Sequence, residues 1–403
     1  MVNFPVLVKL SSSNIDYTKT QDSGRDIRFT DTDGSDLAYE IEKWDETGTS
    51  WVWVKVPQID INSSTDYIYL YYGNTSATDH QQATSVWSAN YAGVWHIKET
   101  GNGTAGEYAD STNTNNGQGG GGTSSAVPTL SSSGQLDGAQ TFDGGDYIAT
   151  ANTTNAISNT STYTIELWFK TSAASASDGR IYAEGSTTTD TPIAFLAYGF
   201  LSTEVRLFAR DNSNAAVSLG STTTGLNNNA WHYAVGTRNG STFTVYVDGS
   251  SSGSTTSTIG TTTINKISLG AHQRAAIAAY FNGIADEIRV SSTARSAAWI
   301  AATYKSETDA FNTFASEEQI YSSTPGTLTS SIFDTEFTAG AAWGTLTYNA
   351  TTPSNTSISV KARTSNSSSM TEATAFSSCN VITSASDISS NNCVTDSHRY
   401  IQY

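Results

Sequence analysis

Short runs rich in β-branched and aromatic residues, each bounded by turn-forming stretches, recur along most of the 403 residues and predict strands, not helices. Near the N-terminus they fall at 5–10, 26–30, 37–44, 51–56 and 67–72, and the runs on either side of 45–50 predict a hairpin. Further on, runs at 91–97, 140–142, 163–170, 193–198, 205–209, 231–237, 242–247, 266–270 and 283–290 have the short, evenly punctuated spacing of a sandwich. The one helical candidate is 294–304, with Trp299, Ile300 and Thr303 near one face. A last group lies at 326–334, 343–348, 357–363 and 398–403, where Ser357, Ser359, Lys361 and Arg363 alternate with Ile358, Val360 and Ala362. The pattern predicts an all-β chain of three β-sandwich domains in series, at 1–88, 89–319 and 320–403, because a chain this long exceeds what one core organises.

The most specific stretch is Trp231-His232-Tyr233-Ala234-Val235, followed by the hairpin signal Asn239-Gly240 and by Val245-Tyr246-Val247-Asp248-Gly249. With Asn282-Gly283-Ile284-Ala285-Asp286-Glu287-Ile288-Arg289-Val290 and Ala294-Arg295-Ser296, it resembles the laminin-G-like, concanavalin A-like jelly roll over 91–304. That resemblance implies glycan or protein binding, with hydrolysis in only some members. It also implies a Ca²⁺ ion held by two aspartates, which here are Asp110, in Ala109-Asp110-Ser111-Thr112-Asn113, and Asp286. Asn113 stands where the pattern has glycine, and its amide oxygen adds to the six to eight or so oxygens calcium takes.

The N-terminal segment resembles a bacterial domain of unknown function numbered 2341. The matching phrases are Asn3-Phe4-Pro5-Val6-Leu7-Val8, Gly24-Arg25-Asp26-Ile27-Arg28-Phe29-Thr30-Asp31, Trp53-Val54-Lys55-Val56-Pro57 and Tyr69-Leu70-Tyr71-Tyr72-Gly73-Asn74. That family carries a further strand before Asn3. Its lack predicts either a segment that begins inside the domain or an exposed edge open to self-association. The last domain, ending in Arg399-Tyr400-Ile401-Gln402-Tyr403, is likewise expected to be truncated.

Composition narrows the partners. Only 37% of residues are hydrophobic and 14% charged, a Ser-, Thr-, Asn- and Gly-rich balance that suits extracellular β-proteins. A net charge of −17 excludes nucleic acid and anionic lipid as electrostatic partners. Cys379 and Cys393 predict a disulfide and hence a secreted or cell-surface location. No apolar run is long enough for a transmembrane segment, and no signal peptide is visible, so a leader is expected to be removed or to lie outside the segment.

Catalytic patterns are weak. Glu40-Ile41-Glu42 with Asp45-Glu46 comes closest to the carboxylate triplet of lectin-fold glucanases, but its order is wrong, and both glutamates are expected on the wet face of a hairpin. The acidic run 31–36 has glycine fourth, not sixth, and predicts a turn instead of a calcium loop. The glycines of 117–122 predict a flexible loop, and His80, His96, His232, His272 and His398 match no metal or catalytic spacing. A ligand face is expected where Arg206, Phe208 and Arg210 share one side of a strand, with Tyr198 beside them. These observations predict a non-catalytic carbohydrate-binding or adhesion protein of a bacterial surface, its partner a glycan or surface protein and its loops ordered by calcium. A structural filament or sheath subunit is the alternative, and a lectin-fold glycoside hydrolase the third reading.

Overall fold

A computed structural model describes residues 1–60, 63, 65–150, 156–174, 178–308, 311–318, 326–352 and 356–403. The N-terminal strands are β1 (Val2–Leu10), β2 (Arg28–Thr30), β3 (Asp36–Leu37), β4 (Tyr39–Lys43), β5 (Ser50–Gln58) and β6 (Tyr69–Tyr71). They form two antiparallel sheets, ordered β1-β5-β4 and β3-β2-β6. The expected hairpin is present, with Tyr39 opposite Val54, and a bulge between Ile41 and Lys43 places Glu42 out of the regular alternation. The acidic run 31–36 closes the β2–β3 turn: Gly34 N–H donates to the Asp31 carbonyl, and the Asp33 carboxylate accepts from Ser35 N–H.

After the short helix α1 (Ala83–Val86) comes a larger sandwich. Its first strands are β7 (Tyr91–Trp95), β8 (Gly117–Gly119), β9 (Thr129–Ser131), β10 (Ala139–Asp143), β11 (Ile148–Thr150), β12 (Thr162–Lys170), β13 (Gly179–Gly185) and β14 (Ile193–Tyr198). Then follow β15 (Val205–Arg210), β16 (Ala216–Gly220), β17 (Trp231–Asn239), β18 (Thr242–Val247), β19 (Ser250–Thr256) and β20 (Lys266–Leu269). A hairpin of β21 (His272–Gln273) and β22 (Ile277–Ala278) precedes β23 (Asn282–Ser291) and helix α2 (Ala297–Glu307). One sheet has eight strands, β19-β18-β17-β12-β23-β10-β9 with β7 also on β23; the other has seven, β16-β15-β14-β13-β20-β11-β8. Ile165, Leu167 and Phe169 of β12 meet Leu196, Tyr198 and Leu207 of the facing sheet in one core. Each such side chain contributes roughly 1.5–3 kcal/mol on burial.

The signature stretch serves this architecture. His232 Nδ1 lies 3.0 Å from the Asp248 carboxylate and Nε2 lies 3.1 Å from Asn228 Oδ1, while the other Asp248 oxygen accepts from Tyr233 N–H at 2.9 Å. The ring therefore ties the start of β17 to the end of β18. Asp248 (φ 49°) and Gly249 (φ 76°) then form a two-residue loop into β19, both in the left-handed region that such hairpins require. At the other turn the loop is Gly240-Ser241: Asn239 stays in β17 opposite Thr242, and Gly240 takes the positive φ of 61°.

Between β7 and β23, eight strands, β8, β9, β11, β13, β16, β19, β21 and β22, lie outside the expected runs. The glycines of 117–122, expected as a loop, split into β8 and a 3₁₀ turn. Helix α2 begins later than expected because Ser296 is its N-cap, its hydroxyl accepting from Trp299 N–H at 3.2 Å.

The chain divides into two units, Met1–Ser316 and Glu317–Tyr403. The break expected at 88/89 does not separate units, because both sandwiches and α2 share buried surface. Trp87, Tyr91, Val94 and Trp299 belong to the same apolar cluster as Phe4, Trp53 and Val54. From α2, Trp299 packs edge-on against Phe4 at 4.8 Å, and Tyr304 stacks on Trp168 of β12 at 5.7 Å. Ser306 accepts from Leu7 N–H at 2.8 Å and the Asn312 amide donates to the Leu7 carbonyl, so part of the outer edge of β1 is covered. The boundary expected at 319/320 lies outside the described residues.

The second unit is less regular than the expected sandwich. Residues 333–334, 400–402 and 363–365 form one three-stranded sheet, and 345–346 pairs with 386–387. Of the alternating run 357–363, Val360 makes an isolated bridge to Ile382, and Arg363 opens the strand 363–365. Asn and Ser side chains take backbone groups that longer ladders would use: Asn392 accepts from Asn380 N–H and Asn391 from Cys393 N–H. Cys379 and Cys393 are disulfide-bonded, with Cα atoms 5.4 Å apart.

Candidate functional site

The outer face of the seven-stranded sheet gathers aromatic rings and guanidinium groups. Antiparallel register sets Phe195 of β14 opposite Phe208 of β15, and their rings stack at 4.8 Å and 9°. The Arg180 guanidinium lies 4.0 Å over the Phe195 ring, and Arg210 lies 5.9 Å from that of Phe208. Phe208 and Arg210 are half-buried, as is Phe200 beside Arg206. The β21–β22 hairpin adds His272, whose Nδ1 meets the Arg180 guanidinium, and Arg274, whose Nε lies 3.6 Å from Asp190.

This face corrects part of the sequence expectation. Tyr198 is fully buried in the core, its hydroxyl donating to the Ala173 carbonyl at 3.0 Å. Strand parity explains it: residues 194, 196 and 198 face inward and 193, 195 and 197 outward, so Phe195 holds the place assigned to Tyr198. Arg206 is on the expected face but committed, ion-paired to Glu204 and donating to Ser218.

A second cluster fills the space between the outer face of the eight-stranded sheet, α2 and the N-terminal sheet. His96 Nδ1 lies 2.6 Å from Glu42 and 2.7 Å from Glu287, and its Nε2 lies 3.5 Å from Glu40. Arg289, wholly buried, reaches Glu166, Glu287 and Glu307 and lies 5.2 Å from the Trp53 ring. Glu287 reaches this side because β23 bulges there: its φ is 50°, and Asp286 and Glu287 both leave the core between inward-facing Ala285 and Ile288. Glu42, expected on a wet face, is buried and accepts from the Trp53 indole; Glu40 accepts from Trp87 and Ser111.

Burial and charge act against each other here. Burial raises Glu42, but His96 and Lys98 outweigh it and bring the carboxyl down to about 2. Burial lowers His96, yet Glu287, Glu42 and Glu40 hold it well above the usual imidazole range. Glu42, His96 and Glu287 are, among the described residues, the group whose donor atoms lie close enough for a metal, within 4.8 Å of one another. Their distances of 2.6–2.7 Å are those of hydrogen bonds to an imidazolium.

The two-sheet jelly roll and the preceding strands have counterparts among known families. Residues 142–301 match the model of the concanavalin A-like lectin/glucanases superfamily, Laminin_G_3. Residues 23–114 match a domain of unknown function, DUF2341. Comparison with curated proteins finds no match. Among solved structures, the chain is similar to the binding domain of Paraclostridial Mosquitocidal Protein 1 (11% identity, TM-score 0.44), covering 66% of this chain and 62% of that one. It is also similar to domain 4 of AbnA, a GH43 extracellular arabinanase from Geobacillus stearothermophilus, in complex with arabinotriose (16%, 0.40, 52% and 97%). A third is the Ruminococcus gnavus IT-sialidase CBM40 bound to alpha2,3 sialyllactose (14%, 0.31, 36% and 83%).

The calcium implied by the Laminin_G_3 resemblance does not fit the residues as the jelly roll places them. One Asp110 oxygen accepts from Val94 and Thr112 N–H, and the other from the Thr112 hydroxyl and the Thr114 and Asn115 N–H groups. Asp286 accepts from Gln135, Leu136 and Glu287 N–H, a different set of partners. Burial first, and then Glu287, push the Asp286 carboxyl well above its ordinary range. Asn113 takes the left-handed φ of 58°, which accounts for glycine at this place in the pattern. Both aspartates cap backbone turns. Excess EDTA and then millimolar Ca²⁺ are therefore expected to leave the melting temperature unchanged; a calcium-dependent rise that Asp286→Ala abolishes would restore the ion.

One exposed feature went unread in the sequence. Tyr67, Tyr69 and Tyr71 form a row at the edge strand β6, with ring centroids 5.4 and 6.0 Å apart. The alternation of tyrosines was the available signal.

Proposed function

We propose that the protein is a non-catalytic carbohydrate-binding protein of a bacterial cell surface, and that it binds sugar on the outer face of β13–β15. The observation that carries this reading is the Phe195–Phe208 stack with Phe200 nearby and guanidinium groups around it. A sugar ring offers both a C–H face and a hydroxyl edge, which such a surface matches. Against hydrolysis stands the burial of the clustered acids: Glu40, Glu42, Glu166, Glu287 and Glu307 are at most 14% exposed and face protein instead of a cleft. The Cys379–Cys393 bond agrees with an oxidising, extracellular setting. No described helix is long and apolar enough to cross a membrane. Partial cover of the β1 edge by Ser306 and Asn312 weighs against assembly through that strand.

A glycan array on the whole protein, followed by titration calorimetry on its hits, tests the reading. Phe208→Ala is expected to weaken binding about tenfold or more, the loss of one stacking contact, while leaving the circular dichroism spectrum unchanged. If Tyr69→Ala abolishes binding and Phe208→Ala leaves it intact, the site belongs to the N-terminal sheet and this reading fails.

A further inference from the structure

We propose that the face of β13–β15 recognises an acidic sugar, its oxyanion held among Arg180, Arg210, Arg274 and His272 and its ring set against Phe208. The inference rests on the saccharide-binding reading and names the class of sugar.

An imbalance of donors over acceptors carries it. Three buried N–H groups here lack a hydrogen-bond partner: Nε of Arg210, Nε of Arg274 and Nε2 of His272. His272 Nδ1 accepts from the Arg180 guanidinium, so the ring's own proton sits on Nε2, and the residue is 1% exposed. The ring is held neutral, its pKa lowered to about 3 by burial and then by Arg180, Arg274 and Arg210. The unpartnered acceptor in this group is Gln273 Oε1. Unmet buried donors are costly, and a ligand with several acceptor oxygens would satisfy them together.

Charge selects an anionic ligand over a neutral one. Arg180 has Asp178 at 3.1 Å, and Arg274 has the well-exposed Asp190 at 3.6 Å. Arg210 donates to the Asp190 carbonyl and, among the described residues, makes no ion pair. Burial and the mutual repulsion of these cations lower both Arg180 and Arg210. In a chain of net charge −17, this concentration of positive charge runs against the whole, and planar guanidinium groups pair with oxyanions in a bidentate fork. A carboxylate and a sulfate ester both offer that chemistry.

The test is calorimetry on the whole protein with trigalacturonate, a sulfated galactan oligosaccharide and neutral xylotriose. Tighter binding of an acidic probe than of xylotriose is expected, weakening as salt rises. The carboxylate and sulfate arms identify which oxyanion is held. Arg210→Gln is expected to weaken the acidic probe about tenfold and xylotriose little. Asp190→Asn, an exposed substitution that keeps the fold intact, is expected to tighten acidic binding by removing a competing carboxylate. If xylotriose binds as well as the acids and neither charge variant changes affinity, the acidic-sugar inference falls and the saccharide-binding reading stands. If no probe binds and the glycan array is also blank, both fall.

Discussion

Replacing Arg289 with glutamine is expected to destabilise residues 1–316 by about 3–5 kcal/mol, read as a lowered midpoint in urea unfolding. The side chain is wholly buried and is the charged partner of Glu166, Glu287 and Glu307, which are themselves about 1% exposed or less. Glutamine keeps most of the volume and some hydrogen bonding but removes the charge, leaving three carboxyls in a medium that solvates them poorly. Contact with the Trp53 and Trp87 rings, at 5.2 and 5.8 Å, is weakened as well, so the loss falls on the junction between the N-terminal strands and the jelly roll. Loss of less than about 1 kcal/mol would show that uptake of protons by the glutamates replaces the guanidinium.

The second large effect is on the pH dependence of stability, which is expected to peak on the acid side, near about pH 5, and to decline toward about pH 8. Glu184 and Glu307 set the declining limb. Burial raises both carboxyls from 4.5 to about 7, opposed at Glu184 by hydrogen bonds from Tyr182, Ile157 and Ala156 and at Glu307 chiefly by Arg289. A raised pKa means that the folded state holds a proton the unfolded chain releases. The associated stability is complete below about 4.5 and is lost as pH rises through about 7, at most about 3 kcal/mol per group. His96, also raised, acts in the same direction above its unfolded value of 6.5. Glu42, lowered to about 2, gives the opposite limb: its contribution is present above 4.5 and lost as pH falls toward 2. Urea midpoints measured across this range check the shape. Glu184→Gln, a neutral mimic of the protonated acid, is expected to flatten the decline and to raise stability at about pH 8. A wild-type profile rising from pH 5 to 8 would contradict this account of the buried acids.

Much of the fold was legible in the chain because its information is local. The β17–β18 signature encodes a hairpin through turn chemistry and alternation, and the paired runs around 45–50 do the same for β4 and β5. The nature of the sandwich followed from strand count and spacing. By contrast, β19 is built of Ser, Gly and Thr and exists because β18 offers it a ladder, while the alternation at 357–363 found little to pair with. Periodicity shows that a strand has two faces, and only packing shows what each face meets.

The site divides in the same way. Sequence alone placed Arg206, Phe208 and Arg210 on one side of a strand, since parity along an extended chain is a covalent property. Which neighbouring residues join them depends on register between strands distant in sequence, and that register put Phe195 there and Tyr198 in the core. Bulges at Glu42 and Glu287 turned two acids off their expected alternation and onto His96. Asp110 and Asp286 were recognisable as special positions, but their role depended on the backbone amides folded around them. The sequence by itself determined strands, turns and the parity of each face; the tertiary structure decided partners, burial and charge state, because these arise from contacts between residues that are close only once the chain has folded.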